Sequence, residues 1–430
     1  MKPILIRNGH LIDPASGIDA PMDVLLAEGK VAGVDKRGTI KHTGAEVIDA
    51  KGLVVAPGLV DIHVHLREPG QGYKETIASG TTAAAAGGFT SVCAMPNTVP
   101  VNDSAETTRW MIAPERNAAI HVFPIAAATR GSMGEALTEY GSLRAAGAVA
   151  VTDDGKPILG DRIMREALIA AARASLPVIQ HAEDTRLTAG CSMNAGPTAF
   201  RLGLRGMPVE AESGLVERDI RLLAEVNDSR AHLHVAHLST KAALDAVRKA
   251  KRNGLHVTCE VAPHHFILNE EAVGDYNTCA KMNPPLRSES DRQAMIEGIL
   301  DGTVDVIATD HAPHAAHEKE QEFERAPNGI TGLESALGLA ISTLHGKHKL
   351  PLSRVIAMLS TQPAHVLNLK GRGSLAVGSW ADAVIFDPSK KWMFDVNASK
   401  SKSRNSPFNG WSLQGKVRIT ISEGSIVLND

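Results

Sequence analysis

Two histidines one residue apart, His63 and His65 in Asp61-Ile62-His63-Val64-His65, close an apolar run from Leu53 to Val60. Such a run reads as a buried β-strand, and strand side chains two apart share a face. Both imidazoles would then aim at one point, and imidazole is a favoured ligand of zinc and similar divalent metals. His-x-His is short, and alone it equally describes two hydrogen-bonded histidines at a strand end. Its meaning comes from the other strands, which finish on Asp153, His181, His237 and Asp310. Each has an ordinary explanation. Asp153-Asp154-Gly155 could be a turn, and His181 and Asp310 could be helix caps. His232 and His234 share the alternating run with His237, so at least one of the three is structural. Taken together, four histidines and two carboxylates can hold one or two divalent ions with open positions, zinc being the default for nitrogen and oxygen donors. An ion there would acidify a water, and Asp310 is the natural proton shuttle beside it.

The elements that must position these residues alternate along the middle of the chain. Eight apolar strands are read at Val54–His65, Thr90–Asn97, Ile120–Ala126, Gly147–Asp153, Pro177–His181, His232–His237, His256–Val261 and Asp305–Asp310. Helical stretches lie between them at Lys74–Ala86, Ile163–Ala174, Glu217–Val226, Lys241–Asn253 and Ser290–Leu300. Eight strand–helix units predict an α/β fold, a (β/α)8 TIM-like barrel with reactive groups at the C-terminal ends of its strands. The termini differ in style. Ile4–Arg7, Val24–Ala27, Val31–Val34, Ala383–Phe386, Val417–Ser422 and Ser425–Leu428 read as strands, with turns at Asn8-Gly9, Glu28-Gly29 and Glu423-Gly424. We expect both termini to form one small β-sandwich domain from residues 1–53 and 367–430, beside a barrel of residues 54–366.

Composition bounds the function. The 430 residues carry 43% hydrophobic and 22% charged side chains and a formal net charge of -3. No basic block suggests nucleic acid, and no apolar run reaches the roughly 20 residues of a membrane span. The four cysteines form no Cys-x-x-Cys pair, which fits a reducing compartment and argues against a thiolate zinc site. With no signal-peptide pattern at the N-terminus, the expectation is a cytoplasmic protein.

Seven motifs run through the chain: Asp61–Gly70 (DIHVHLREPG), Ala94–Asn97 (AMPN), Thr152–Gly155 (TDDG), Gln180–Asp184 (QHAED), Val235–Thr240 (VAHLST), Lys281–Arg287 (KMNPPLR) and Ala308–His314 (ATDHAPH). With them the chain resembles the amidohydrolase superfamily and, within it, the dihydroorotases of the class I bacterial type. The resemblance implies metal roles for His63, His65, Asp153, His181, His237 and Asp310, choosing His237 over His232 and His234. It implies substrate contacts from His65, Arg67, Asn97, Asn283 and His314, with Arg67 and Asn97 on a carboxylate and Asn328-Gly329 offering backbone groups to a pyrimidine-type ring. An arginine's planar fork suits a carboxylate. The implied reaction is the reversible cyclisation of N-carbamoyl-L-aspartate to L-dihydroorotate in de novo pyrimidine synthesis, with Asp310 as the catalytic acid/base.

Dihydropyrimidinases, hydantoinases and allantoinases share the barrel and cluster and are the nearest alternatives; Arg67 with Asn97 favours a substrate bearing a carboxylate. A non-catalytic partner of aspartate transcarbamoylase is the alternative from another class. It would have lost ligands, whereas all six candidates are present. A homodimer and an aspartate transcarbamoylase complex stay open. Two departures from the family pattern stand out. Strand 4 ends in Asp153 where many superfamily members carry a bridging lysine, and Lys156 lies past the turn. The segment Cys191–Gly196 lacks the expected histidine and glutamate. Residues His314 to Gly332 form a long charged stretch that reads either as a lid or as a solvated loop.

Overall fold

The computed structural model describes residues 2–430; Met1, the first residue of the expected terminal domain, lies outside them. The strand run expected at Val54–His65 is two strands. Val54–Pro57 pairs with Ala383–Met393 and His10–Asp13, whereas Leu59–Val64 enters the barrel. Gly58 makes the transition possible: a Cβ there would lie 2.1 Å from the Thr90 hydroxyl. Both termini build one nine-stranded sheet in the order 425–429, 412–422, 383–393, 54–57, 10–13, 18–27, 4–7, 46–49, with Lys30–Lys36 also on Ile18–Ala27. The hairpins at Glu28-Gly29 and Glu423-Gly424 have positive φ at both residues, the twist-matched turn that the sequence predicts. Side-chain alternation gives the sheet two jobs. Ala383, Ile385 and Val55 join Ile6, Leu11 and Leu26 in a core of its own, while Val384, Phe386, Val54 and Ala56 pack on the barrel.

The barrel strands are β1 (Leu59–Val64), β2 (Phe89–Ala94), β3 (His121–Pro124, resuming at Ala126–Ala127), β4 (Val151–Thr152), β5 (Val178–Gln180), β6 (Leu233–Val235), β7 (Val257–Val261) and β8 (Val306–Ile307). Neighbours pair in parallel. At Ile125, β3 passes from β2 to β4 as Ile125 N–H bonds Ala94 O at 2.9 Å and Ala126 N–H bonds Ala150 O at 3.1 Å. The ring closes where Val64 bridges His311 and His65 N–H donates to His311 O at 2.9 Å. Helices Ile77–Ala86, Asp161–Ala174, Glu210–Val226, Lys241–Arg252 and Glu289–Leu300 cover the outside, burying Leu168, Leu222, Leu244 and Ile299 against it. Inside, Val60, Ile62, Cys93, Ile125, Ile179, Ala236 and Val306 fill the barrel, and Val366, Leu367 and Leu369 close its floor. This is the expected (β/α)8 architecture. Because the interior is filled, polar groups at the strand ends form a lid of chemistry over an apolar plug.

Candidate metal centre

Strands β1, β4, β5, β6 and β8 deliver six side chains to one place above that plug. They are His63, His65, Asp154, His181, His237 and Asp310, all buried. Their ligand atoms form three overlapping groups within 4.8 Å: His63, His65 and Asp154; His63, His237 and Asp310; Asp154, His181 and His237. Asp154 faces all four imidazoles, with oxygens 3.6 Å from His63 Nε2, 3.7 Å from His65 Nε2, 3.7 Å from His181 Nδ1 and 4.0 Å from His237 Nε2. Asp310 Oδ1 lies 3.1 Å from His65 Nε2 and 3.4 Å from His63 Nε2.

Five of the six residues expected to gather do so. Asp153 does not, and its neighbour Asp154 takes the place. Val151 packs into the apolar layer outside the barrel, so Asp153, two residues on, inherits that side and Asp154 turns inward. The Asp153 carboxylate instead accepts from Thr129 N–H at 2.9 Å and from the Thr129 hydroxyl, which ties the ends of β3 and β4 together. His232 and His234 are structural: their rings bond Thr258 Oγ1 at 2.7 and 2.8 Å.

Glu260 was missed. It sits in β7, in a run that reads as apolar, and is fully buried. Its carboxylate takes His63 Nδ1 at 2.5 Å, His234 Nε2 at 3.1 Å and His237 N–H at 3.3 Å. A carboxylate on the far nitrogen fixes a ligating imidazole's tautomer and direction. The signal available in the sequence was an acidic residue inside a strand, which demands a partner.

The electrostatics describe a place that wants positive charge. Burial alone would lower His63 and His181; Asp310 and Glu260 around the first, and Asp154 and Glu183 around the second, hold both up at about 10. Burial, with His181 and His63 alongside, pushes His237 down to about 3. Burial would raise Asp310, yet His63 and His65 bring it down to about 2. Asp154 goes the same way, held well below the carboxylate range by His181, His63 and His65 against its burial. A divalent cation would satisfy the same carboxylates while leaving the imidazoles neutral, and His63 Nε2 and His237 Nδ1 are buried with no hydrogen-bond partner. The residues fit a metal.

Beside the cluster opens a cavity of ≈ 400 Å³ lined by His65, Arg67, Asn97, His181, Asn283, His314 and Asn328, among others. That is room for one small molecule. Arg67 is buried, its Nε donating to Pro313 O at 3.1 Å and an Nη 3.3 Å from His314 Nε2. Asn97 accepts from His65 Nδ1 at 2.8 Å and donates to Asp154 at 3.0 Å, so it braces the metal cluster as well as lining the cavity. Asn283 donates to Glu183 at 2.8 Å. Gly329 departs from expectation. It is not among the residues lining this cavity; its N–H goes to Lys281 O and its carbonyl is taken by Asn405 and Lys319, leaving no backbone group for a ring. Arg67, His237 and Asp310 all have positive φ (63°, 30° and 48°), a conformation costing non-glycine residues on the order of 1 kcal/mol and concentrated at working sites.

The stretch from His314 to Gly332 is tied down. Lys281 Nζ donates to the carbonyls of Phe323, Glu324 and Ala326, and Phe323, Ala326 and Ile330 are buried.

A closed (β/α)8 barrel bearing a histidine–carboxylate cluster at its mouth defines the class of metal-dependent amidohydrolases, and the comparisons agree. Residues 52–243 match the family model described as Dihydro-orotase-like, and residues 322–428 that described as Amidohydrolase family. A dihydroorotase of Syntrophotalea carbinolica is 51% identical over 425 residues, covering 98% of each chain. One of Solibacter usitatus is 49% identical, covering 99% of this chain and 97% of its own. Among solved structures, the L-hydantoinase (dihydropyrimidinase) of Arthrobacter aurescens superimposes with a TM-score of 0.88 at 24% identity, over 100% of this chain and 96% of its own, a likeness of fold. The chain belongs to the dihydroorotase family of metal-dependent cyclic amidohydrolases.

Proposed function

We propose that the site interconverts N-carbamoyl-L-aspartate and L-dihydroorotate, using zinc held by His63, His65, Asp154, His181, His237 and Asp310. The observation that carries this reading is the juxtaposition of two unlike devices in one small cavity. A nitrogen–oxygen cluster suited to a divalent ion lies beside Arg67, a buried cation suited to a substrate carboxylate, and His314, an imidazole kept neutral because burial, Arg67, Lys74 and Lys319 push it down to about 3. Dihydrouracil, hydantoin and allantoin carry no such carboxylate, which separates this reading from its nearest alternatives. Asp154, facing both histidine pairs, is the group placed to serve two ions.

Bound zinc would polarise the cyclic amide carbonyl and acidify the attacking water. The chain's own residues do the rest. Arg67 and His314 grip the carboxylate and orient the ring. Asp310, ionised in this site, takes the proton from the attacking water and hands it to the departing ring nitrogen; ring closure reverses the transfer. Asn97 and Glu260 keep His65 and His63 aimed. The reading also places the protein in a reducing aqueous compartment: its four cysteines are unpaired, and among the described residues no helix is long and apolar enough to cross a membrane. A homodimer and an aspartate transcarbamoylase partner rest on family resemblance.

The test is ring-opening of L-dihydroorotate by the purified protein, with elemental analysis, before and after chelation and after zinc is restored. We expect turnover to fall with zinc content and to return with it. Faster turnover of hydantoin or dihydrouracil than of dihydroorotate, or activity indifferent to chelation, overturns the reading.

A further inference from the structure

Arg67 and His314, which the proposed function puts on the substrate carboxylate, come from opposite ends of the chain's barrel. Arg67 follows β1 and His314 follows β8. Each sits in a loop, and a loop alone does not hold a side chain to the tolerance that recognition of a small anion needs. One carboxylate joins the two loops. Glu318 lies in the short helix Ala316–Lys319, four residues beyond His314. It receives Lys74 Nζ at 3.0 Å and the Tyr73 hydroxyl at 3.1 Å, both from the loop that carries Arg67. It also receives the N–H of Ala315 at 2.9 Å and faces His314 Nδ1 at 3.5 Å. Lys74 Nζ is itself 3.4 Å from His314 Nδ1. The Tyr73 ring stacks on His317 with centroids 6.3 Å apart. Lys74, Glu318 and His314 are mostly shielded from solvent, with side-chain exposures of 10%, 17% and 7%.

We propose that Glu318 is a positioning residue for substrate recognition: through Lys74 and Tyr73 it locks the β1 loop to the β8 loop and so sets the spacing of Arg67 and His314. Neither Glu318 nor Lys74 lines the cavity, so both act through the pair they hold. The arrangement is more than a helix cap. The bond to Ala315 N–H caps the helix, but the contacts to Lys74 and Tyr73 reach across to another loop.

This inference rests on the proposed function, and its test separates the two. Wild type, Glu318→Gln, Lys74→Met and the double variant are assayed for ring-opening of L-dihydroorotate, with metal content and thermal stability measured in parallel. Glu318→Gln keeps an acceptor for Ala315 N–H while losing the ion pair. We expect KM to rise about tenfold in either single variant, kcat to stay within about twofold, and zinc content to be unchanged. The double variant should be no worse than the worse single variant, because the two groups act as one unit. Additive losses, a fall in kcat with KM unchanged, or a KM equal to wild type in both single variants overturns the lock. If Glu318→Gln fails to fold, Lys74→Met and Tyr73→Phe carry the same KM test. A wild-type protein that does not turn over dihydroorotate overturns the proposed function instead.

Discussion

At the mouth of the barrel four imidazoles face three buried carboxylates, Asp154, Asp310 and Glu260. At the floor His232, His256 and His365 line a second cavity of ≈ 330 Å³ with Thr258 and Arg230, and with no carboxylate. His232 and His256 stack at 4.0 Å, and His232 bonds the Thr258 hydroxyl. The residue type is the same, yet two of the mouth's imidazoles are shifted in the opposite direction to His232 at the floor, while His237 is pushed down as it is. Carboxylates hold His63 and His181 up at about 10. Burial and neighbouring histidines push His232 down to about 2. A histidine cluster thus becomes a metal centre only where acids have been folded in beside it, and each acid at the mouth can be removed to ask how much of that difference it carries.

Asp154→Asn should have the largest effect. It strips the one carboxylate that touches all four imidazoles and makes the mouth more like the floor. Zinc content should fall to background and turnover with it. Asp153→Asn, one residue away, should keep its zinc and much of its activity, losing about 1–3 kcal/mol of stability through the weakened Thr129 bonds. Elemental analysis and thermal melts of the pair measure both. Metal loss from the Asp153 variant with retention in the Asp154 variant would reverse the assignment made from the geometry. Asp310→Asn comes next. It removes the base while leaving five donors, so kcat should fall by about 10²–10⁴ with a smaller loss of metal. Single-turnover ring-opening on metal-replete protein checks this.

Glu260→Gln is milder. It leaves every donor atom in place but weakens the grip on His63, and chelator competition should report zinc affinity lower by about 10–100-fold. Glu260 is also the link between the two ends, since His63 and His234 share its carboxylate while His234 and His232 share Thr258. A Glu260 variant with wild-type affinity would mean that packing alone aims His63.

The mouth was largely legible in the sequence because a strand's alternation and a barrel's geometry both force residues at strand ends to converge. His63, His65, His181 and Asp310 needed only those two rules, whereas His237 also needed the family resemblance to set it apart from His232 and His234. Asp153 and Asp154 could not be told apart, since two identical neighbours at a strand end differ only in which way the strand faces, and that is fixed by Val151 packing outward. Glu260 stayed hidden inside an apolar run whose period says nothing about an acid paired to a distant strand. Gly329 was misread for a related reason. Composition reveals that a backbone N–H exists but not that Lys281 O has already taken it. The terminal sheet was readable from its turns, while the division of Val54–His65 into two strands depends on a close contact between Gly58 and Thr90 that no local pattern encodes.

The floor makes its own prediction, the smallest in size. His232 is neutral in the folded protein down to a pKa of about 2, lowered by its burial and by His256, His234 and His365. In the unfolded chain it takes up a proton near pH 6.5. Its folded pKa is depressed, so its contribution is fully present above pH 6.5 and is lost as the pH falls below that value. The slope should reach about 1.4 kcal/mol per pH unit from this residue. His232→Gln cannot be protonated and still reaches Thr258. It should therefore cost about 1 kcal/mol or less at pH 7.5 and unfold less steeply than wild type between pH 6 and 4.5. Zinc content should be unchanged, since no acid at the floor calls for a cation. Urea titrations at several pH values give the slope directly. Equal slopes in the two proteins would mean that His232 is protonated in the folded state, and the contrast between the two ends of the barrel would then lose its electrostatic basis.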